Sequence, residues 1–485
     1  MGIVIKQSFR NILSTYIGFG IGAVNALFLY TNFLSEDYYG LVAFLLSAAN
    51  IMLPFMAFGV HNVLIKFYSS FKTKNSLNSF LTLMLLLPLV FIIPVGLLGV
   101  FGYDLIAGLL SQKNNLIEGY VWHIYITAIA MAYFEIFFAW SKVQMKTVFG
   151  NIMREIFHRI CIMVLLGCVY MDWIDVKLFI NGVVGVYVVR MLIMKFYAYT
   201  LRFPVIKFNK IYNISSILKY SFLIIIAGSI AMVILDLDKF MIGQYLEIEN
   251  VAYYSVAIFI ATVISGPQRS MHQIMMPLCA QFLNSGDDKE LKSLYQKSSL
   301  NLLVISGLIF LLVVININML YQILPDKFTG GLFVVIIVSL AKLYDNALGS
   351  NNAILFNSDY YRVVLFFGVL LAFLAVIFNM IFIPLYGING SALATFLAIA
   401  IYNTLKLMYV KLKLKMQPFS WATFKMIGIL MVLGFGFYHI EFSFHPLLNI
   451  ALKSFIVTLI YLITIYKFNI SEDINLQLRK YFSFS

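Results

Sequence analysis

The chain has 485 residues with a formal net charge of +13, 62% hydrophobic and only 11% charged residues, and a mean hydropathy of +0.92. A water-soluble domain needs roughly 25% charged residues to cover its surface, so a soluble globular fold is excluded and most of the chain must face lipid. The apolar runs are continuous for about 20 residues or more, the length of a bilayer-spanning helix. Strands of an outer-membrane barrel would instead alternate apolar and polar residues over about ten positions. The expected fold class is therefore an all-α polytopic membrane protein.

In chain order the runs fall at 11–34, 40–65, 78–101, 117–140, 153–171, 177–200, 214–235, 250–276, 297–320, 330–356, 363–384, 388–410, 422–440 and 447–466, which predicts about 14 transmembrane helices. Spans of about 20 residues each leave loops too short for a folded domain. That excludes an attached ATPase, kinase or glycosyltransferase module, and no Gly-x-x-x-x-Gly-Lys-Ser/Thr phosphate loop occurs. ATP is not the expected direct fuel. The first run carries no small-residue cleavage site and continues as a helix, so it reads as a retained span.

Lys and Arg near span ends are held on the cytoplasmic side. With the N-terminus inside, all 34 fall there except Lys113, Lys177, Lys239, Lys327 and Lys453 on the outer side and Arg190 and Lys342 within spans. Both termini are then cytoplasmic. The basic excess follows from topology and from contact with anionic headgroups of membrane lipids, so it predicts no nucleic-acid partner.

Cys161, Cys168 and Cys279 lie in or beside spans, where packing is their expected role. The six histidines are scattered without HExxH, CxxC or paired-ligand spacing. Neither a metal nor another cofactor is expected.

A faint internal repeat is visible. The first outer turn reads Phe33-Leu34-Ser35-Glu36-Asp37-Tyr38-Tyr39-Gly40, and after the seventh span the chain reads Tyr245-Leu246-Glu247-Ile248-Glu249-Asn250-Val251-Ala252-Tyr253-Tyr254. Each has a Leu, an acidic turn, a Tyr-Tyr pair and a helix start rich in small residues. An even number of spans separates them, so the halves share one orientation. The helices that follow carry Pro54 and Pro267 at similar depth. Proline is common in membrane helices, but paired interruptions in corresponding helices also point toward a central site.

At these residues the sequence resembles the polysaccharide (Wzx-type) flippases of the multidrug/oligosaccharidyl-lipid/polysaccharide exporter superfamily. The likeness is carried by the amphipathic start Lys6-Gln7-Ser8-Phe9-Arg10-Asn11, by the turn ending Glu36-Asp37-Tyr38-Tyr39-Gly40, and by Leu235-Asp236-Leu237-Asp238-Lys239-Phe240-Met241-Ile242-Gly243, which looks like the family's Asp-Lys/Arg-x-x-Ile-Gly signature. Phe378-Asn379-Met380-Ile381-Phe382-Ile383-Pro384-Leu385-Tyr386-Gly387-Ile388-Asn389-Gly390-Ser391-Ala392-Leu393-Ala394-Thr395 adds a fourth match. The resemblance implies two six-helix lobes around a V-shaped central cavity, here 1–208 and 209–412, with two further helices and a tail in 413–485. It implies no enzyme activity. The implied work is alternating-access transport of an undecaprenyl-pyrophosphate-linked oligosaccharide across the bacterial cytoplasmic (inner) membrane, for O-antigen, capsule or exopolysaccharide synthesis, with a polymerase or other pathway proteins as possible partners.

A pyrophosphate with attached sugars cannot cross about 30 Å of hydrocarbon unaided, so a carrier needs a polar, cationic cavity open to one side at a time. The cations that the family fold would place around it are Arg10 at the start of span one, His61 in span two, Arg190 in span six, Arg269 and His272 in span eight and Lys342 in span ten. A structural pair with Asp345, one turn on, is the competing role for Lys342, and an interfacial position is the competing role for His61. Arg154, Glu155, His158 and Arg159, where span five meets the cytoplasm, read as an interfacial charge cluster. Two other functions stay open. A cation-coupled multidrug exporter would favour deep acids, of which Glu135 and Asp345 are present. An integral-membrane glycosyltransferase or polymerase would use Asp236-Leu237-Asp238 to hold a metal-diphosphate donor, but such enzymes place catalytic groups in sizeable outer loops.

Overall fold

The computed structural model describes residues 2–209, 211, 213–227 and 230–481. Lys210 and the side chains of Lys6, Ser8, Phe9 and Lys480 lie outside the described residues. Every regular element among the described residues is helical, and eleven segments are long and apolar enough to cross a membrane. They take in twelve of the fourteen expected runs, because Arg362–Leu414 is a single 53-residue segment. Gly387 bends it with φ 59° and ψ −138°, a region essentially confined to glycine. The other two runs lie on helix broken into shorter pieces: the π-helical turn Met153–Phe157 followed by His158–Tyr170, and Ile214–Ala227 followed by Ile230–Tyr245.

The chain divides into two compact units, Met1–Ser255 and Val256–Ser485. In the first, helix Val121–Val143 is central and packs on Val176–Leu201, Glu36–Met56 and Val60–Phe67. Its Phe134, Phe137, Phe138 and Trp140 interlock with Val60, Leu64, Phe80, Met84 and Met194. Between lipid-facing helices such close packing and buried hydrogen bonds supply the cohesion, since lipid tails are as apolar as the side chains themselves. Pro54 lacks the N–H that would continue the ladder, and helix Glu36–Met56 stops just after it. Phe58 and Gly59 take positive φ before Val60–Phe67 resumes.

The two acidic turns of the repeat meet in this unit. A Cβ added to Gly40 would stand 2.0 Å from the Ile248 carbonyl oxygen, so only glycine permits the approach. Around them Lys113 pairs with Glu247 at 3.3 Å. Buried Asn114 donates to the carbonyls of Gly243 at 2.7 Å and Leu246 at 2.9 Å, capping the end of Ile230–Tyr245.

In the second unit the 36-residue helix Asp288–Ile323 is the spine. Leu332–Ala347, Trp421–Tyr438 and Pro446–Lys467 pack along it. The last of these is tied to the spine by Tyr461, whose hydroxyl donates to the Val304 carbonyl at 2.5 Å, and by Lys453, whose Nζ donates to the Ile315 carbonyl at 2.6 Å.

Candidate anion-binding site

Several cations of the first unit gather near the Val143 end of its central helix. Glu135, on the buried side of Val121–Val143, receives a forked pair of hydrogen bonds from Arg154, one from Nε to Oε1 at 3.1 Å and one from Nη2 to Oε2. Phe138, one turn on, carries Lys142 Nζ 4.0 Å and the Arg154 guanidinium 4.8 Å from its ring centre. Half-buried His61 stands in the field of Glu135, Lys142 and Arg154. Its Nε2 meets Asn62 at 3.0 Å and its Nδ1 is buried without a hydrogen-bond partner.

Arg190 is 7% exposed. Its guanidinium lies between the rings of Phe134 at 4.3 Å and Tyr187 at 4.7 Å, a stacking that planar guanidinium accepts and ammonium does not. Its Nε has no acceptor among the described residues. His158 packs 5.8 Å from the Tyr187 ring, and Arg159 pairs with Glu155 at 3.6 Å. Two π-helical turns flank this group, Val24–Leu29 and Met153–Phe157, and Asn25 of the first donates to the Arg159 carbonyl at 2.8 Å. Such turns commonly mark functional sites. Lys142, Arg154, Arg159 and Arg190 thus stand against two carboxylates, Glu135 and Glu155, leaving the network net positive.

Within the charge cluster read from the sequence, Arg154 turns to Glu135 of the neighbouring helix, while Arg159 pairs with Glu155; a half-buried carboxylate needs a countercharge. Arg10 is exposed on the first helix. Its neighbours Gln7 and Asn11 fasten that helix to the Met145 carbonyl at 3.0 Å and to Thr147 Oγ1 at 3.0 Å.

In the second unit Arg269 and His272 are exposed on Gly266–Ser285, and Lys342 is half-buried on Leu332–Ala347. Asp345, the expected partner of Lys342, accepts from Gln268 Nε2 at 2.9 Å, and its field also reaches His272. Sequence reasoning passed over Lys406 and Lys453, each 1% exposed. Their nearness to span ends suggested solvent; no signal in the chain marks them as buried.

Asp236 and Asp238 point to different partners. Asp236 accepts from Ser47 at 3.1 Å and lies 3.9 Å from Lys239, while fully buried Asp238 accepts from the Tyr254 hydroxyl at 2.6 Å. Positions i and i+2 of a helix face apart, which is unsuited to joint chelation. Among the described residues there is no group of three or more His, Cys, Asp or Glu able to hold a metal.

The family described as "Polysaccharide biosynthesis protein" matches residues 4–283, more than half of the chain. The chain belongs to that family. Among solved structures the fold is similar to that of the lipid II flippase MurJ in an inward closed conformation, with TM-score 0.73 and 14% identity over 96% of this chain and 100% of that one. It is also similar to an inward-facing multidrug resistance MATE family transporter of the MOP superfamily, with TM-score 0.58 and 11% identity over 86% and 95%. A MOP superfamily transporter from Pyrococcus furiosus has TM-score 0.55 and 10% identity over 85% and 95%. Comparison with curated protein sequences finds no match. The expected resemblance and the all-helical class are therefore upheld: this is a multi-pass membrane protein of the polysaccharide biosynthesis family with a MOP-type transporter fold.

Proposed function

We propose that this protein is a flippase that carries undecaprenyl-pyrophosphate-linked oligosaccharide units from the cytoplasmic to the outer leaflet of the bacterial cytoplasmic membrane by alternating access, for cell-surface polysaccharide assembly. The observation that carries this reading is the net-positive network around Arg190, set within the family-matched part of the chain. A pyrophosphate bears about two negative charges, and charge-assisted hydrogen bonds from guanidinium forks offset its desolvation. Arg190, with an unpartnered Nε, and His61 are the first-unit groups assigned to that work, with Arg10 at the start of the same unit. Arg269, His272 and Lys342 are the second-unit candidates. Several partly hydrated cations suit a carrier better than one dry site, because a substrate held too tightly could not be released. The same charge balance speaks against a cationic-drug exporter.

The test is the fate of the lipid-linked oligosaccharide in cells lacking the protein. Synthesis continues and the lipid accumulates where an externally added glycan-binding reagent cannot reach it. Arg190→Ala lowers transport per folded molecule and Arg190→Glu abolishes it. Sugar transfer from a donor by the purified protein, lost on Asp236→Asn, would replace the flippase reading with an enzyme.

A further inference from the structure

Two helix breaks lie side by side in the second unit. One separates Glu249–Thr262 from Gly266–Ser285 through the 3-10 turn Val263–Ser265. The other separates Leu332–Ala347 from Asn351–Asn357. Buried Asn346 joins them, its Nδ2 donating to the Ile264 carbonyl at 2.8 Å and to Ser306 Oγ at 2.7 Å. Ser299 donates to the Ala347 carbonyl at 2.5 Å, the Ser350 N–H to Ser298 at 3.1 Å, and Asn351 to the Tyr295 hydroxyl at 2.6 Å. Interrupted helices persist inside a membrane only where such groups take up the freed backbone, and in transporters they are where coupling ions bind.

Lys406 projects into this polar layer from the long bent segment. It has 1% of its surface exposed. Its Nζ donates to Asn352 Oδ1 at 3.0 Å and stands 4.1 Å from the Tyr402 ring centre. No carboxylate of the described residues lies within 4.0 Å of it. An ammonium has three donors and a full charge to satisfy, and a buried charge without an ion partner is costly.

The charged group whose field reaches Lys406 is Asp345 of Leu332–Ala347. Tyr402 is the titratable group facing it on its own helix, and Asn352 of Asn351–Asn357 is neutral. On Gly266–Ser285, Gln268 and His272 act on Asp345. Lys453 is the instructive contrast. It is just as buried, but a backbone carbonyl of the spine helix holds its Nζ, and a helix carbonyl cannot swing away as an asparagine side chain can.

Lys406 offers almost no surface to a diphosphate headgroup, whereas exchange of its proton needs only the Asn352 side chain to swing aside and admit one water. We propose that Lys406 is the proton-coupling group of this transporter. In each cycle its ammonium gives one proton to water on one side of the membrane, is left as the neutral amine, and takes one proton from water on the other side. Asp345 is the carboxylate that stabilises the charged form. This rests on the flippase reading above.

The test uses vesicles holding the purified full chain, a trapped pH-sensitive dye, and undecaprenyl-pyrophosphate-linked N-acetylglucosamine as the probe. Its distribution between leaflets is read with an impermeant sugar-binding reagent. The wild type equalises the probe without a pH gradient. A gradient of about one unit shifts the distribution by up to about tenfold for one proton per lipid, and the dye reports proton movement with the probe. Lys406→Met and Lys406→Gln still equalise the probe, but the gradient no longer shifts it; Lys453→Met behaves as the wild type. Gradient-driven accumulation surviving in either Lys406 variant overturns the proposal, as does wild-type probe movement without proton movement, which needs no variant to fold. Failure of the wild type to move the probe at all overturns the flippase reading and this proposal with it.

Discussion

Glu135 and Arg154 stand nineteen positions apart in the chain and meet as a forked ion pair between two helices. Each is therefore exposed to loss of the other. Arg154→Ala strands a half-buried carboxylate, and with Arg154 itself 36% exposed the cost sits at the lower end of the roughly 1.5–3 kcal/mol typical of hydrogen bonds to charged groups. The expected outcome is a lower unfolding temperature in detergent, restored by adding Glu135→Gln, because a neutral amide needs no countercharge. If the double variant were no more stable than Arg154→Ala alone, the pair would not be what holds these helices. Arg190 belongs to a different kind of site. Two aromatic faces hold its plane, and its buried Nε has no acceptor among the described residues.

Helices in this protein are interrupted where proline or left-handed residues occur and polar partners stand ready. Pro54 with Phe58 and Gly59 breaks the second expected span, and the 3-10 turn before Pro267 breaks the eighth. The bend at Gly387 is spanned by buried Ser391, whose hydroxyl donates to Asn379 Oδ1 at 2.7 Å, and its backbone, with φ 59° and ψ −138°, also requires a residue without Cβ. Gly387→Ala is expected to cost about 1–3 kcal/mol through backbone strain alone. Reduced abundance and a lowered unfolding temperature, with no change in which residues are accessible from either side, is the predicted result. Normal stability would show that the bend is not required for folding.

At the scale of the whole molecule the expected topology is fourteen crossings with both ends cytoplasmic, and Asp37, Asp326 and Glu441 outside. Labelling single introduced cysteines with an impermeant reagent from each side checks it. Cytoplasmic labelling at position 326 would put the two halves of the repeat out of phase and remove the parallel duplication. The meeting of the two acidic turns at Gly40 and Ile248 adds a second expectation. Gly40→Val forces those backbones apart, so position 248 is expected to label faster from outside in that variant than in the native sequence.

What the sequence by itself determined is the class, the position of nearly every helix and the basic asymmetry of the loops. These are properties of contiguous residues: the bilayer demands about 20 apolar positions in a row, and each Lys or Arg biases its own loop. Even the breaks near Pro54 and Pro267 were legible, because proline acts on its own backbone. Tertiary structure alone decided that Arg154 serves Glu135, that Arg190 lies beneath aromatic rings, and that Lys406 and Lys453 are sunk in the second unit rather than set in solvent. Those outcomes depend on which helix faces meet. In a chain whose helices are apolar on almost every side, hydrophobic periodicity gives no preferred face, so only packing can choose the partner of each buried charge.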